Sequence, residues 1–80
     1  MEIKILGTGC AKCKKLEELT RRVVIDNNID ATVVKVDDII DIMRYNVMST
    51  PALVIDDRVV CTGRLPDEKE IKSLLTLKQN

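Results

Sequence analysis

Two cysteines separated by two residues, Cys10 and Cys13, are the side chains of this sequence best suited to chemistry. They follow a short apolar run and Gly7-Thr8-Gly9, and they open a segment with helical periodicity. In the first turn of a helix, residues i and i+3 have Cα atoms about 5 Å apart, and a disulfide accepts separations of roughly 4.4–6.8 Å. Such a pair can therefore form and break a disulfide with little backbone movement.

The helix N-terminus favours ionisation of the first cysteine. Free backbone N–H groups and about half a positive charge stabilise a thiolate there, and Lys12, Lys14 and Lys15 add positive charge nearby. Thiols of Cys-x-x-Cys pairs titrate below the free value of about 8.5. We therefore expect Cys10 to be the exposed nucleophile. Cys13, one turn into the helix, is expected to be more buried and to resolve a mixed disulfide.

A metal site and an inert disulfide are two other interpretations of the pair. Closing a loop of about four residues stabilises a fold by only about 2 kcal/mol in the chain-entropy model, which argues against a purely structural bond. Soft thiolates suit Cu(I) or Zn²⁺, and copper and heavy-metal carriers also place Gly-x-x-Cys-x-x-Cys between a strand and a helix. After Val36, however, the chain continues with a capped helix and Ser49-Thr50-Pro51, where such carriers run straight into a hairpin. We assign no metal ligand, and a metal carrier remains the alternative function.

Composition and charge limit the remaining classes. The 80 residues contain 13 basic and 13 acidic side chains. The chain therefore has no excess positive charge of the kind that indicates nucleic-acid binding. Hydrophobic residues make up 45% of the chain and Tyr45 is its single aromatic residue, so the core must be aliphatic. No stretch approaches the roughly 20 apolar residues that span a bilayer, and the N-terminal run is too short for a signal peptide. We expect one domain over residues 1–80, in a reducing cytoplasm.

The hydrophobic pattern predicts seven elements in the order β-α-β-α-β-β-α. Strands are predicted over residues 2–6, 31–36, 52–55 and 58–62, and helices over about 10–26, after Asp37-Asp38, and over about 67–75. The second helix is expected to bury Ile39, Ile40 and Met43. Cys61 is expected to be a small apolar residue on the last strand. The order predicts an α/β fold with a mixed four-stranded sheet flanked by three helices.

The second part of the sequence resembles the second half of thioredoxins. The resemblance covers the stretch from Arg44 to Ile55, which contains Ser49-Thr50-Pro51, and the hairpin, Gly63 and last helix that follow. The whole chain resembles the small thioredoxin-like redox-active disulfide proteins of archaea and bacteria. This resemblance implies a compact thioredoxin fold and thiol–disulfide oxidoreductase activity through Cys10 and Cys13. It also implies that Pro51 is a cis-proline lying against the pair. Thr50 would pair through its backbone with an extended substrate, and Gly63 would lie beside that groove.

The same resemblance implies the partners of the chain. They are protein disulfides as substrates and a flavoprotein of the thioredoxin reductase type as electron donor, with glutathione as the alternative donor. It implies a monomer that serves electron transport and redox homeostasis and carries no cofactor of its own. The sequence departs from the family in two respects. The common Trp-Cys-Gly-Pro-Cys is replaced by Gly9-Cys10-Ala11-Lys12-Cys13, and no acid matches the buried one that assists the resolving thiol.

Overall fold

The first strand, β1 (Glu2–Leu6), lies inside a four-stranded sheet, with the other elements arranged around it. The computed structural model describes residues 1–79, with side chains described as far as Thr76. The remaining elements are α1 (Ala11–Asp26), β2 (Thr32–Val36), α2 (Ile39–Met43), β3 (Ala52–Ile55), β4 (Arg58–Thr62) and α3 (Glu68–Gln79). The predicted order and the α/β class, a mixed sheet with three helices, are confirmed.

The strands lie in the order β2-β1-β3-β4. β2 is parallel to β1, as a connection through a helix requires, whereas β3 is antiparallel to β1 and β4 is antiparallel to β3. β1, β2 and β4 therefore end, and β3 begins, at the same end of the sheet. We call this the cysteine end, because Cys10 follows β1 there, and we call the other the opposite end. The residues just after β1 and those just before β3 are consequently neighbours.

Alternation along β1 divides the core into two clusters, because successive strand residues point to opposite faces. Ile3 and Ile5 face α1 and α3 and belong to the larger cluster. Its other buried members are Leu16, Leu19, Val23, Ile29, Leu53, Ile55, Cys61, Ile71 and Leu75. Leu6 faces the other side and packs with Ile42, Ala52 and Val54 in a smaller cluster under α2. Two layers of helix therefore enclose the sheet, and the layer formed by α1 and α3 covers more of it.

The apolar spacing of α1 explains its position. Leu16, Leu19 and Val23 are all buried at positions i, i+3 and i+7, and they form one stripe against the sheet. Cys10 caps the start of the helix. After Asn27 the chain turns through Asn28, whose φ of 53° lies in the left-handed region that asparagine tolerates at helix ends.

The predicted buried face of α2 is wrong. Ile39, Ile40 and Met43 are 57%, 62% and 65% exposed, whereas Ile42 is 3% exposed and packs on the sheet. Asp38 caps the helix as predicted, since its carboxylate accepts a hydrogen bond of 2.9 Å from the Ile40 N–H. With five residues the helix completes little more than one turn, so only one side chain reaches the core.

Tyr45 covers the part of this face that α2 leaves open. Its hydroxyl accepts a hydrogen bond of 2.8 Å from Lys4 Nζ, and the ammonium lies 5.5 Å from the ring centroid. The hydrogen bond to Tyr45 raises the pKa of Lys4 above its ordinary value. Lys4 can therefore occupy a central strand while its charged end stays paired.

Element boundaries differ from the predictions by a few residues. β2 begins at Thr32 rather than at Ala31, and α3 covers Glu68–Gln79 rather than ending near Leu75. The spacing of Ile71, Leu74 and Leu75 predicts that all three face the core; Ile71 and Leu75 are fully buried, and Leu74 is partly buried. Within residues 1–79, no helix combines the length and the apolar character needed to cross a membrane.

Candidate active site

Cys10 is both the exposed cysteine and the N-cap of α1. Its backbone is extended, with φ −68° and ψ 165°, and its carbonyl accepts the N–H of Lys14 at 3.0 Å. Its Sγ accepts the N–H of Cys13 at 3.2 Å. One of the backbone donors that every helix start leaves unpaired is thus aimed at the Cys10 sulfur, which favours negative charge on that atom.

Cys13 forms a disulfide with Cys10 and is buried, with 4% of its surface exposed. The two Cα atoms are 5.1 Å apart, in agreement with the separation expected from the spacing. The exposed first cysteine and the buried second cysteine also agree with the sequence prediction. An attacking partner can therefore reach Cys10 from solvent, whereas Cys13 is reached through Cys10.

Gly7, directly after β1, makes room for Cys13. A Cβ at this glycine would lie 2.8 Å from the Cys13 Cβ and would overlap its Sγ. Gly9 has a φ of 91°, which reverses the chain between the end of the strand and the helix. In the sequence, Gly7-Thr8-Gly9 predicts only a turn after the first strand. No signal in a single sequence shows that Gly7 touches the second sulfur.

The surroundings of the pair are basic on the helix side. The first turn of α1 contains no acidic residue, and Lys12, Lys14 and Lys15 are all exposed. Among the described side chains, no Asp or Glu is buried.

Pro51 lies at the cysteine end, and the Thr50–Pro51 peptide bond is cis, as the resemblance implied. The antiparallel register of β1 and β3 pairs Leu6 with Ala52. Gly7, which contacts Cys13, directly follows this last pair on one strand, and Pro51 directly precedes it on the other. The backbone N–H and C=O of Thr50 form no hydrogen bond within the described part of the chain. They are therefore available to an extended ligand segment.

Gly63 lies next to the loop formed by Ser49, Thr50 and Pro51, which precedes β3, and hydrogen bonds connect the two. Its N–H donates to the Pro51 carbonyl at 2.9 Å, and the neighbouring Thr62 hydroxyl donates to the Ser49 carbonyl at 2.8 Å. Gly63 has a φ of 78°, and a Cβ there would lie 2.5 Å from the Ser49 hydroxyl. The structure thus brings Thr50, Pro51 and Gly63 together at the end of the sheet that carries Cys10 and Cys13.

Cys61 lies outside this group. It is buried on β4 in the larger core cluster, as expected of a small apolar residue. Burial raises the pKa of its thiol, and the opposing effect of the Arg64 charge is smaller. Ser49 is the member of the loop that sequence analysis missed. Its contacts are to residues on β4 and just after it, thirteen or more positions away, and no local pattern reports them.

Comparison with known proteins agrees with this geometry. Residues 1–76 match the family model described as a thioredoxin domain. A thioredoxin of Methanocaldococcus jannaschii is 41% identical over 73 residues, covering 91% of this chain and 84% of the relative. A thioredoxin of Methanothermobacter thermautotrophicus is 36% identical over 76 residues, covering 95% and 99% of the two chains. The chain therefore belongs to the thioredoxin family and is a small thiol–disulfide oxidoreductase with a Cys10–Cys13 redox disulfide.

Proposed function

We propose that the chain reduces disulfide bonds in other proteins, with Cys10 as the nucleophile and Cys13 as the resolving thiol. One observation carries this assignment. The exposed Cys10 Sγ accepts a backbone N–H at the start of α1, while Cys13 is buried beneath it. A sulfur so placed is accessible and is stabilised as an anion, which are the two properties that an attacking thiolate needs.

The proposed reaction proceeds in two exchanges. The Cys10 thiolate attacks one substrate sulfur, the substrate S–S bond breaks, and the released sulfur takes a proton. Cys13 then loses its proton and attacks the Cys10 Sγ, which forms the Cys10–Cys13 disulfide and frees the second substrate thiol. The substrate gains two electrons and two protons, and the dithiol of this chain loses them.

Thr50, Pro51 and Gly63 are proposed to hold the substrate during these exchanges. The unpaired Thr50 backbone at the start of β3 can hydrogen-bond an extended segment in the manner of an added strand. The hydrogen bond from Gly63 to Pro51 supports this assignment, because it fixes the loop next to the cysteines. The lack of a side chain at Gly63 makes room for the Ser49 hydroxyl, so that the two ends of the loop can lie close together.

We further propose that residues 1–80 act as a single monomeric domain in the cytoplasm. A flavoprotein of the thioredoxin reductase type would return the two electrons. The family membership supports this donor. Thioredoxin has a reduction potential of about −270 mV, which makes it a reductant. An equilibrium potential measured near that value would support a reductant. A potential near −120 mV, roughly that of a strong oxidant, would contradict it.

The test compares three single variants with the wild type, using a peptide disulfide and a fixed supply of reductant. Cys10→Ser should abolish reduction. Cys13→Ser should accumulate a mixed disulfide with the peptide, detected by mass spectrometry, because its attack on the substrate is intact and its resolution is lost. Cys61→Ser is the matched control and should retain wild-type rates. Reduction by Cys10→Ser at the wild-type rate would disprove the assignment.

A further inference from the structure

Positive charge at the start of α1 is left without partners inside the protein. Within the described residues, Lys12 and Lys14 make no ion pair, and Lys15 pairs with Glu18 at 3.4 Å. Glu18 also pairs with Arg22 at 3.2 Å, one turn further along the helix. Lys12 and Lys14, the residues before and after Cys13, are both exposed, and no acidic side chain of the described residues forms an ion pair with them.

Acidic side chains gather at the opposite end of the sheet. Glu2 begins β1, and its backbone exchanges hydrogen bonds of 2.8 Å with Asp56 in the β3–β4 turn. The other acidic residues there are Asp26 at the end of α1, Asp30 before β2 and Asp57 in the turn. An α-helix of 16 residues is about 24 Å long. Between the two ends of α1, Arg21 and Arg22 are paired with Glu17 and Glu18. The unpaired positive charge of this helix therefore lies at its start.

The basic character is confined to the α1 side of the cysteine end. Asp37 and Asp38 follow β2 at that end, and they lead into α2 on the other face of the sheet. Arg64, just beyond Gly63, is neutralised by an ion pair with Glu70. A partner approaching Cys10 therefore meets positive charge on the side of α1 and negative charge on the side of α2.

We propose that the start of α1, with Lys12 on one side of the helix and Lys14 on the other, is a docking surface for protein disulfides flanked by aspartate or glutamate. This inference rests on the proposed function and specifies its substrate class. Exposed charges add little to final affinity, but complementary charges speed encounter and exclude partners of the wrong sign. Asp37 and Asp38 orient the encounter, because they repel an acidic segment from the α2 side.

Three peptide disulfides that differ only in their flanking residues provide the test, with Glu, Gln or Lys beside each cysteine. At low salt the wild type should reduce the Glu peptide faster than the Lys peptide. From the usual strength of two exposed ion pairs, we expect a ratio of about 2- to 30-fold in kcat/KM. The ratio should fall towards one as salt is added, because the Debye length shortens to about 8 Å at physiological ionic strength.

Two double variants locate the effect. The double variant Lys12→Gln with Lys14→Gln should bring the ratio of Glu to Lys peptides close to one. Lys69→Gln with Lys72→Gln removes the same charge from residues that line a groove with Asp26 near the end of α1, and it should keep the wild-type ratio. Using the ratio of two peptides cancels any change in the intrinsic reactivity of Cys10.

The outcomes separate the docking surface from the reaction itself. If the wild type reduces the Gln peptide but reduces the Glu and Lys peptides at equal rates, the docking proposal is wrong and the proposed function still holds. Loss of the ratio in both double variants would also overturn the docking proposal. Failure to reduce any of the three peptides would overturn the proposed function and the docking surface with it.

Discussion

The hydrogen atom that serves as the side chain of Gly7 lets the buried sulfur lie against the end of β1. Any Cβ at this position would overlap Cys13 Sγ and approach its Cβ to 2.8 Å. Neighbouring Gly9 is a glycine for another reason. Nothing lies within 4 Å of a Cβ built there, but its φ of 91° is strained for other residues. The two glycines thus provide a matched pair, in which one contacts the redox centre and the other only shapes the turn.

Gly7→Ala should slow the resolution step as well as destabilise the fold. We expect a loss of about 1–3 kcal/mol in unfolding free energy from overpacking, measured by urea denaturation of the oxidised protein. The displaced Cys13 should also release the second substrate thiol more slowly in stopped-flow measurements. Gly9→Ala is the control, with a backbone cost of about 1–3 kcal/mol and an unchanged Cys13. Equal slowing of resolution in both variants would refute a specific role for Gly7.

The thiol of Cys61 should react last in the reduced protein. Its pKa is raised by burial from an ordinary value of 9.0, so its thiolate is scarce at neutral pH and grows only at more alkaline pH. Iodoacetamide at pH 7 should therefore modify Cys10 first and Cys61 only after urea unfolds the protein, as followed by mass spectrometry. Modification of Cys61 at the rate of Cys10 in the folded protein would contradict this expectation.

The short helix α2 stabilises the fold through one side chain. Ile42 packs with Leu6, Ala52 and Val54, while Ile39 on the same helix lies mostly in solvent. A helix of five residues cannot present a stripe of i, i+3, i+4 and i+7 positions. Its stability consequently comes from the cap at Asp38 and from the single anchor at Ile42.

Ile42→Ala and Ile39→Ala should therefore differ sharply in stability. Truncating Ile42 removes buried methyl groups and leaves a cavity, which typically costs about 2–5 kcal/mol. The same truncation at Ile39 should change the unfolding free energy by less than about 0.5 kcal/mol, as for exposed positions in general. Chemical denaturation of the two variants measures the difference. Equal losses would mean that the described packing of α2 is incorrect.

Sequence alone succeeded where the signal was local and repeated. The spacing of Leu16, Leu19 and Val23 spans enough turns to define the buried face of α1, and the spacing of the cysteines predicted that the two can form a disulfide. It failed at α2, because a helix of little more than one turn has no measurable period and its orientation depends on where the chain enters and leaves. The contact between Gly7 and Cys13 was not predictable either, since it depends on how tightly α1 packs below β1.

At the scale of the molecule, the two faces of the sheet are covered unequally. α1 and α3 bury one face through the larger core cluster, and α2 covers the other with Ile42. Tyr45 and Lys4 close the rest of that face through a polar contact. Fewer buried apolar contacts mean a lower local free energy of opening. The α2 side is therefore the less stable half of the fold.

Amide hydrogen exchange should follow this asymmetry. Amides of α2, such as that of Ile42, should exchange faster than those of Ile5 in β1, which lies between two hydrogen-bonded strands. Exchange followed by mass spectrometry or NMR at neutral pH measures both sets. Protection of α2 equal to that of β1 would contradict the asymmetry and would indicate a single cooperative unit.

The hydrogen bond between the Cys13 amide and Cys10 Sγ couples the redox state of the cysteine pair to the first turn of α1. A thiolate is a stronger acceptor than a disulfide sulfur, so reduction tightens this helix end and oxidation loosens it. The Cys13 amide proton is thus a native reporter of redox state. Its NMR chemical shift should therefore differ between the oxidised and the reduced protein.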